Sequence, residues 1–397
     1  MKKLYILVVL LVALSTSACN KYKGVPTEYH NLIDIAISKA GTNAPELMAA
    51  INQSPSEQKE AMAFLIAYMP ERDLTTLSSQ FLLNNVNLAY KTKEKYSWNK
   101  SLPDSIFFNE VLPYASLNER RDDWRGDFSQ RFGKYVEECS DMRSAIDSIN
   151  KNIRDELLVD YNTKREKPDQ SPYESIEQRM ASCSGLSILL TDAFRSVGIP
   201  SRIAGTPNWH DKRGNHNWSE VWVDGQWYFT EYYPSGLNKG WFLADAGKAI
   251  PNDKEHAIYA SSFKPTKKYF PLVWDSTITY VPAEDVSWRY IKIYKEETAA
   301  TQLSETHTMV KIMMFTENVC SFTANDRVAV NVDVFYGKEQ ISGGRTSGPT
   351  QDMNETLEFQ LEKNKEYTFV YTGEYGKLKS IKKMIGDSPE SIKLYYK

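Results

Sequence analysis

The sequence predicts an α+β fold in three successive parts: a mostly helical N-terminal region, a mixed core, and a C-terminal β-sandwich. Between residues 27 and 138, apolar residues recur at helical spacing, with Pro70, Pro103 and Pro113 as breaks. Between 139 and 292, an amphipathic helix is followed by a two-stranded hairpin. After 298, short alternating or apolar stretches are separated by Gly- and Asn-containing turns, the pattern of a compact sandwich. At 397 residues, 41% hydrophobic and 25% charged, the chain is long enough for two or three domains with real cores.

The N-terminus reads as an address. Lys2 and Lys3 precede the apolar run Leu4 to Leu14, and Ser15-Thr16-Ser17-Ala18 leads into Cys19, so residues 1–19 form a secretory signal with a small-residue cleavage site. The tetrad Thr16-Ser17-Ala18-Cys19 resembles a bacterial lipobox, which implies acylation of Cys19 and a lipid-anchored protein of the cell envelope, in the periplasm or on the outer membrane. Region 20–138 then carries helical periods over Tyr29–Ile37, Glu57–Tyr68 and Leu74–Tyr96. Trp98, Trp124 and Arg125 are expected to pack this region on the core. No later segment is long and apolar enough to span a bilayer, and a net charge of −3 leaves no electrostatic footprint for nucleic acid.

The core, 139–292, holds the chemistry. From Cys183, the residues Leu186, Leu189, Leu190, Ala193, Phe194 and Val197 mark one apolar stripe of a helix. Ser182 is its expected N-cap, and Gly198 with Pro200 its stop. Cys183 therefore lies in the first turn, where unpaired N–H groups and the positive end of the helix dipole favour a thiolate. The same N–H groups can bind an oxyanion.

Downstream, His216 to Val223 alternates like a strand, Asp224-Gly225 is a two-residue hairpin turn, and Gln226 to Tyr233 returns. That loop sets the register: Val223 faces Gln226, Trp222 faces Trp227, and Trp218 faces Glu231. His216, Trp218, Glu231 and Tyr233 then share one face, with His216 and Glu231 roughly 7–8 Å apart at the backbone as diagonal neighbours. Asp224 is used in the turn and Glu220 lies two pleats away, which leaves Glu231 as the carboxylate for His216. His210 sits in a loop-like stretch and is the weaker candidate base.

These residues carry a resemblance. The blocks Arg179 to Gly185, Ala193 to Arg202, His216 to Val221 and Trp227 to Glu231 are similar to the transglutaminase-like superfamily, over roughly 141–289. The resemblance implies a papain-like transglutaminase core, with Cys183 as nucleophile, His216 as base and Glu231 as the orienting carboxylate. It implies the chemistry shared by transglutaminases, bacterial cysteine peptidases and peptide N-glycanases: attack of a thiolate on an amide carbonyl to give a thioester. Two positions depart from the family pattern, Ser182 where Gly is frequent and Glu231 where Asp is usual.

The expected function is thiol-dependent cleavage of a peptide, peptidoglycan or glycopeptide amide. The alternatives are a catalytically weak binding or scaffolding lipoprotein and an amine-accepting cross-linker. Gln178 is a candidate oxyanion donor. Trp209 and Trp218, among Trp222, Trp227 and Trp241, are candidate substrate-stacking groups. The chain has five His and no His-x-x-x-His or Cys-x-x-Cys pair, so neither a metal nor another cofactor is expected. If Cys19 is acylated, Cys139, Cys183 and Cys320 remain, an odd number that leaves one thiol free, with a Cys139–Cys320 disulfide as the less favoured pairing. The accessory sandwich, 298–397, is expected to contain strands Met309–Phe315, Val328–Tyr336, Leu357–Leu361, Tyr367–Tyr371 and Ile392–Tyr396.

Overall fold

The computed structural model describes residues 21–397, apart from 211, 213, 234–235, 303–305, 319–323 and 352–354. The signal peptide, Cys19 and Cys320 lie outside the described residues. The chain forms two compact units: residues up to Tyr114 together with Phe263–Pro265, and Ala115–Ser262 together with Thr266–Lys397.

The first unit is helical. Its longer helices are His30–Ala40, Ala44–Gln53, Lys59–Tyr68 and Ser79–Lys95. The last is shorter than the expected span from Leu74 because a separate turn, Glu71–Leu74, intervenes after Pro70. The Thr75 and Thr76 hydroxyls donate to carbonyls of that turn, and Ser78, in an extended conformation, caps the long helix by accepting from the Phe81 N–H. Phe263 completes this unit by stacking on Phe64, with the Asn109 side chain accepting from the Phe263 N–H.

In the second unit, the nucleophile helix Cys183–Ser196 packs against helices Arg125–Val136 and Met142–Leu157 and against an antiparallel six-stranded sheet. Strand order in the sheet is Gln226–Thr230, His216–Val223, Ser201–Thr206, Tyr259–Ser261, Pro282–Asp285, Lys268–Tyr269. Helix Arg125–Val136 falls within the region 20–138 read from the sequence as separate from the core, yet it is part of this unit. Arg125 donates to the Arg195 carbonyl and Ser129 to the Ser196 carbonyl, so it covers the C-terminal end of the nucleophile helix.

That helix is buried beyond its apolar stripe. Every residue from Ser184 to Ser196 is inside. The polar side is tolerated because its hydroxyls find partners: Ser187 donates to the Cys183 carbonyl and Ser196 to the Ala193 carbonyl. The helix stops where the sequence places its breaker, with Gly198 at φ 77° and the Ile199 N–H returning to the Phe194 carbonyl.

The C-terminal part is a sandwich whose two sheets share one core containing Val310, Ile312, Val332, Val334, Phe369 and Leu394. Strands His307–Phe315, Asn331–Tyr336, Leu357–Glu362, Glu366–Thr372 and Glu390–Tyr395 match the expected stretches within a few residues. Two further strands, Glu339–Arg345 and Leu378–Met384, form the edges of the four-stranded sheet. Both are largely exposed, so neither carries the apolar alternation that marks a half-buried strand.

Candidate active site

The approach to Cys183 is tightly held. Met180–Ala181 pairs in parallel with Asp160–Tyr161, and Ser182 then caps the helix, accepting from the Gly185 N–H at 3.1 Å while donating to the Pro168 carbonyl. Cys183 opens the first turn and is the helix residue left partly exposed. The first turn of a helix carries N–H groups with no partner in the helix, the kind of donor an oxyanion requires.

His216 begins its strand, and Glu231 directly follows the return strand. Between them Asp224 and Gly225, at φ 52° and 80°, make the tight turn, and Val223–Gln226, Trp222–Trp227 and Ser219–Thr230 pair. This is the register read from the sequence. It brings His216 Nε2 to 2.9 Å from Glu231 Oε1, with each side chain 14% exposed. The imidazole and the Cys183 thiol also act on each other electrostatically, each shifting the other's protonation. Since Nε2 is engaged by Glu231, Nδ1 is the nitrogen left for the sulfur.

The electrostatics follow from these contacts. Burial on its own would raise the Cys183 thiol, but hydrogen bonding to His216 and the charge on that ring outweigh it and hold the thiol below its usual value. Burial would likewise lower His216, yet Cys183 and Glu231 push it up to about 10. Each partner thus favours the charged form of the other, a thiolate beside an imidazolium.

Glu231 is also fixed through its backbone. The Asn150 amide donates to the Glu231 carbonyl at 2.7 Å and to the Thr230 hydroxyl at 2.8 Å. Two residues on, the Tyr233 hydroxyl accepts from the Tyr161 N–H and donates to Asp160, tying this stretch to the strand beside Met180–Ala181. Nothing in the local sequence pattern signals either link, because both join segments more than seventy residues apart.

The other expected site residues fall elsewhere. Trp209 and Trp218 are only 4% and 1% exposed, stacked on each other at 6.1 Å, and Trp218 donates to the Tyr290 hydroxyl. Neither ring offers a face to a substrate, which corrects the stacking role expected for them: their apolar area is spent on the core. Trp241 does offer one, being 40% exposed with its ring 4.9 Å from the His216 ring. Gln178 has its carbonyl oxygen fastened to the Glu166 N–H, at the end of helix Pro172–Gln178. His210 lies near Asp245 rather than beside the thiol.

Glu220, set aside as too far from His216, has a different office. Fully buried, it accepts from Arg202 Nε at 2.8 Å, from the Tyr290 hydroxyl at 2.7 Å, and from Arg289. Arg202 in turn lies over the Trp227 ring at 3.9 Å. This cluster braces the face of the sheet that carries Trp218.

Residues 130–232, which include Cys183, His216 and Glu231, match the model of the Transglutaminase-like superfamily. Among solved structures, a candidate cysteine protease from Cytophaga hutchinsonii is similar at 16% identity and TM-score 0.28, covering 48% of this chain and 66% of its own. Red sea bream transglutaminase is similar at 9% identity and TM-score 0.32, covering 73% of this chain and 65% of its own. This chain thus spans at most 66% of the length of either structure. No curated protein matches it.

Proposed function

We propose that this protein is a thiol-dependent amide-bond hydrolase. The single observation that carries the reading is the His216 imidazole held by a Glu231 oxygen 2.9 Å away, in a site where it and the Cys183 thiol shift each other's protonation. The thiolate attacks the amide carbonyl, and the oxyanion is held by N–H groups of the first helical turn. As the C–N bond breaks, His216 gives its proton to the departing amine, and Cys183 is left as a thioester. Water then attacks, His216 takes its proton, and the C–S bond breaks to release the carboxylic acid and restore the thiolate. An amine in place of water would give transfer instead. The acyl donor belongs to the class of peptide, peptidoglycan stem or glycopeptide amides.

The test is direct trapping. Acid-quenched protein, taken during reaction with an activated ester, is expected to gain the acyl mass on Cys183, and the gain should vanish in Cys183→Ala. Protein that never carries the acyl group on Cys183 would support a binding module on the same fold instead.

The N-terminal tetrad supports a lipid anchor at Cys19. Acyl chains contribute about 0.8 kcal/mol of membrane affinity per buried CH₂, so Cys19→Ser should move the protein out of the membrane fraction or leave its signal uncut. A processed Cys19→Ser protein that still sediments with membranes contradicts the anchor.

A further inference from the structure

Aromatic rings wall the His216 imidazole. The rings of Trp218, Phe242 and Trp209 lie 5.7, 5.3 and 6.1 Å from it, and all three are buried in the core. Trp241 is nearer, at 4.9 Å, and it is the partly exposed one of the four. Among the described residues, a molecule that approaches the imidazole on its aromatic side does so along Trp241.

The indole is held there by its neighbours. The Asn238 N–H donates to the Phe229 carbonyl at 2.9 Å, and the Asn238 side-chain oxygen accepts from the Phe229 N–H at 3.0 Å, so the segment leading to Trp241 is pinned back onto the return strand. Gly240 then passes so close to the core that a Cβ would stand 3.0 Å from the Phe242 ring and 3.1 Å from the Phe229 ring. On the other side Phe242, Leu243 and Ala246 enter the core with the turn Leu243–Ala246. An exposed ring anchored on both sides has little conformational freedom left to lose when a ligand covers it.

Reaction chemistry decides which half of a substrate meets this ring. The acyl half becomes bonded to the Cys183 sulfur, while the amine half carries the nitrogen to which His216 gives its proton. That nitrogen has to come within about 3 Å of the imidazole. Groups attached to it then lie against the ring that is both beside His216 and open to solvent. We infer that Trp241 is the wall of the amine-side subsite, selecting amides whose departing amine carries an apolar, and best an aromatic, side chain. This rests on the proposed function of the site and deepens it, naming the half of the substrate that is recognised. An aromatic side chain gains buried area and an offset or edge-on ring contact at Trp241. Water and small amines gain neither.

The subsite is tested by running the second half-reaction with amines. Full-length protein acylated on Cys183 by p-nitrophenyl acetate is offered phenylalaninamide or glycinamide. The amine nitrogen attacks the thioester carbonyl, its proton passes to His216, and the C–S bond breaks to give the N-acetyl amide and the Cys183 thiolate. Product masses give the ratio of transfer to phenylalaninamide over glycinamide, corrected with Cys183→Ala for direct reaction with the ester. Comparing that ratio between proteins cancels the intrinsic reactivities of the two amines. It should fall about tenfold in Trp241→Ala, the effect of losing one aromatic pair and its buried area. Trp241→Gln, which fills the space with a polar side chain, should lose as much, and Trp241→Phe should keep most of the preference, with folding checked by thermal melt. A ratio equal in wild type, Trp241→Ala and Trp241→Gln, or a thioester that hydrolyses without passing to either amine, would overturn the subsite. No acyl mass on Cys183 at all would sink the hydrolase reading and the subsite with it, an outcome told apart in the same samples.

Discussion

Glu231→Gln should slow acylation of Cys183 by up to about 10⁴-fold at neutral pH while leaving the fold intact. Glu231 now accepts from His216 Nε2, which leaves Nδ1 as the atom that exchanges a proton with the sulfur. A glutamine amide can donate to Nε2 and so place the ring proton on Nδ1, where it blocks that exchange. The pH profile should change with the rate. Burial lowers His216 and Cys183 and Glu231 raise it, to about 10, so removing the carboxylate lets it fall and shifts the alkaline limb to lower pH. Glu231→Asp keeps the charge on a stem one methylene shorter and should be the milder change. The measurement is the acylation rate with an activated ester across the three proteins, with thermal melts as control. Equal rates in all three would reduce Glu231 to a polar residue on the hairpin.

Glu220→Gln is the variant with the largest expected effect on stability, about 3–5 kcal/mol, because it leaves two guanidinium groups facing a neutral amide in the interior. Arg202 is almost wholly enclosed and Arg289 is 27% exposed, so solvent recovers part of the loss at Arg289 and the value should fall toward the lower end. Burial raises Glu220, but Arg289 and Arg202 outweigh it and hold the carboxyl below its ordinary value. A carboxylate lowered on folding stabilises above its unfolded value and loses that contribution as pH falls through the folded one. The gap between wild type and Glu220→Gln should therefore be full at neutral pH and narrow in acid. Chemical denaturation at both pH values measures it. A gap that stays constant, or is absent at neutral pH, would show that the cluster's charges contribute little.

The parts of this molecule legible in the sequence are those governed by short-range rules. Asp224-Gly225 permits one hairpin geometry, and that geometry alone puts His216 and Glu231 within reach. Ser182 and Gly198 bracket the nucleophile helix because caps and left-handed turns select residue types locally. What the sequence hid is long-range. Asn150 meets Glu231 from eighty-one positions away, and Arg289 meets Glu220 from sixty-nine. No periodicity encodes such meetings. The burial of Trp209 and Trp218 was hidden for a related reason, since an aromatic ring reads alike whether it lines a cleft or fills a core.

The central claim is that His216, held by Glu231, keeps Cys183 ionised. It is tested most directly by following alkylation of each cysteine in the wild-type protein from acid to alkaline pH. Cys183 should keep reacting well below the pH at which Cys139 and Cys320 fall silent. Three cysteines fading together as pH drops, with Cys183 no faster at neutral pH, would mean that the imidazole and the thiol do not form the charged pair on which this account depends.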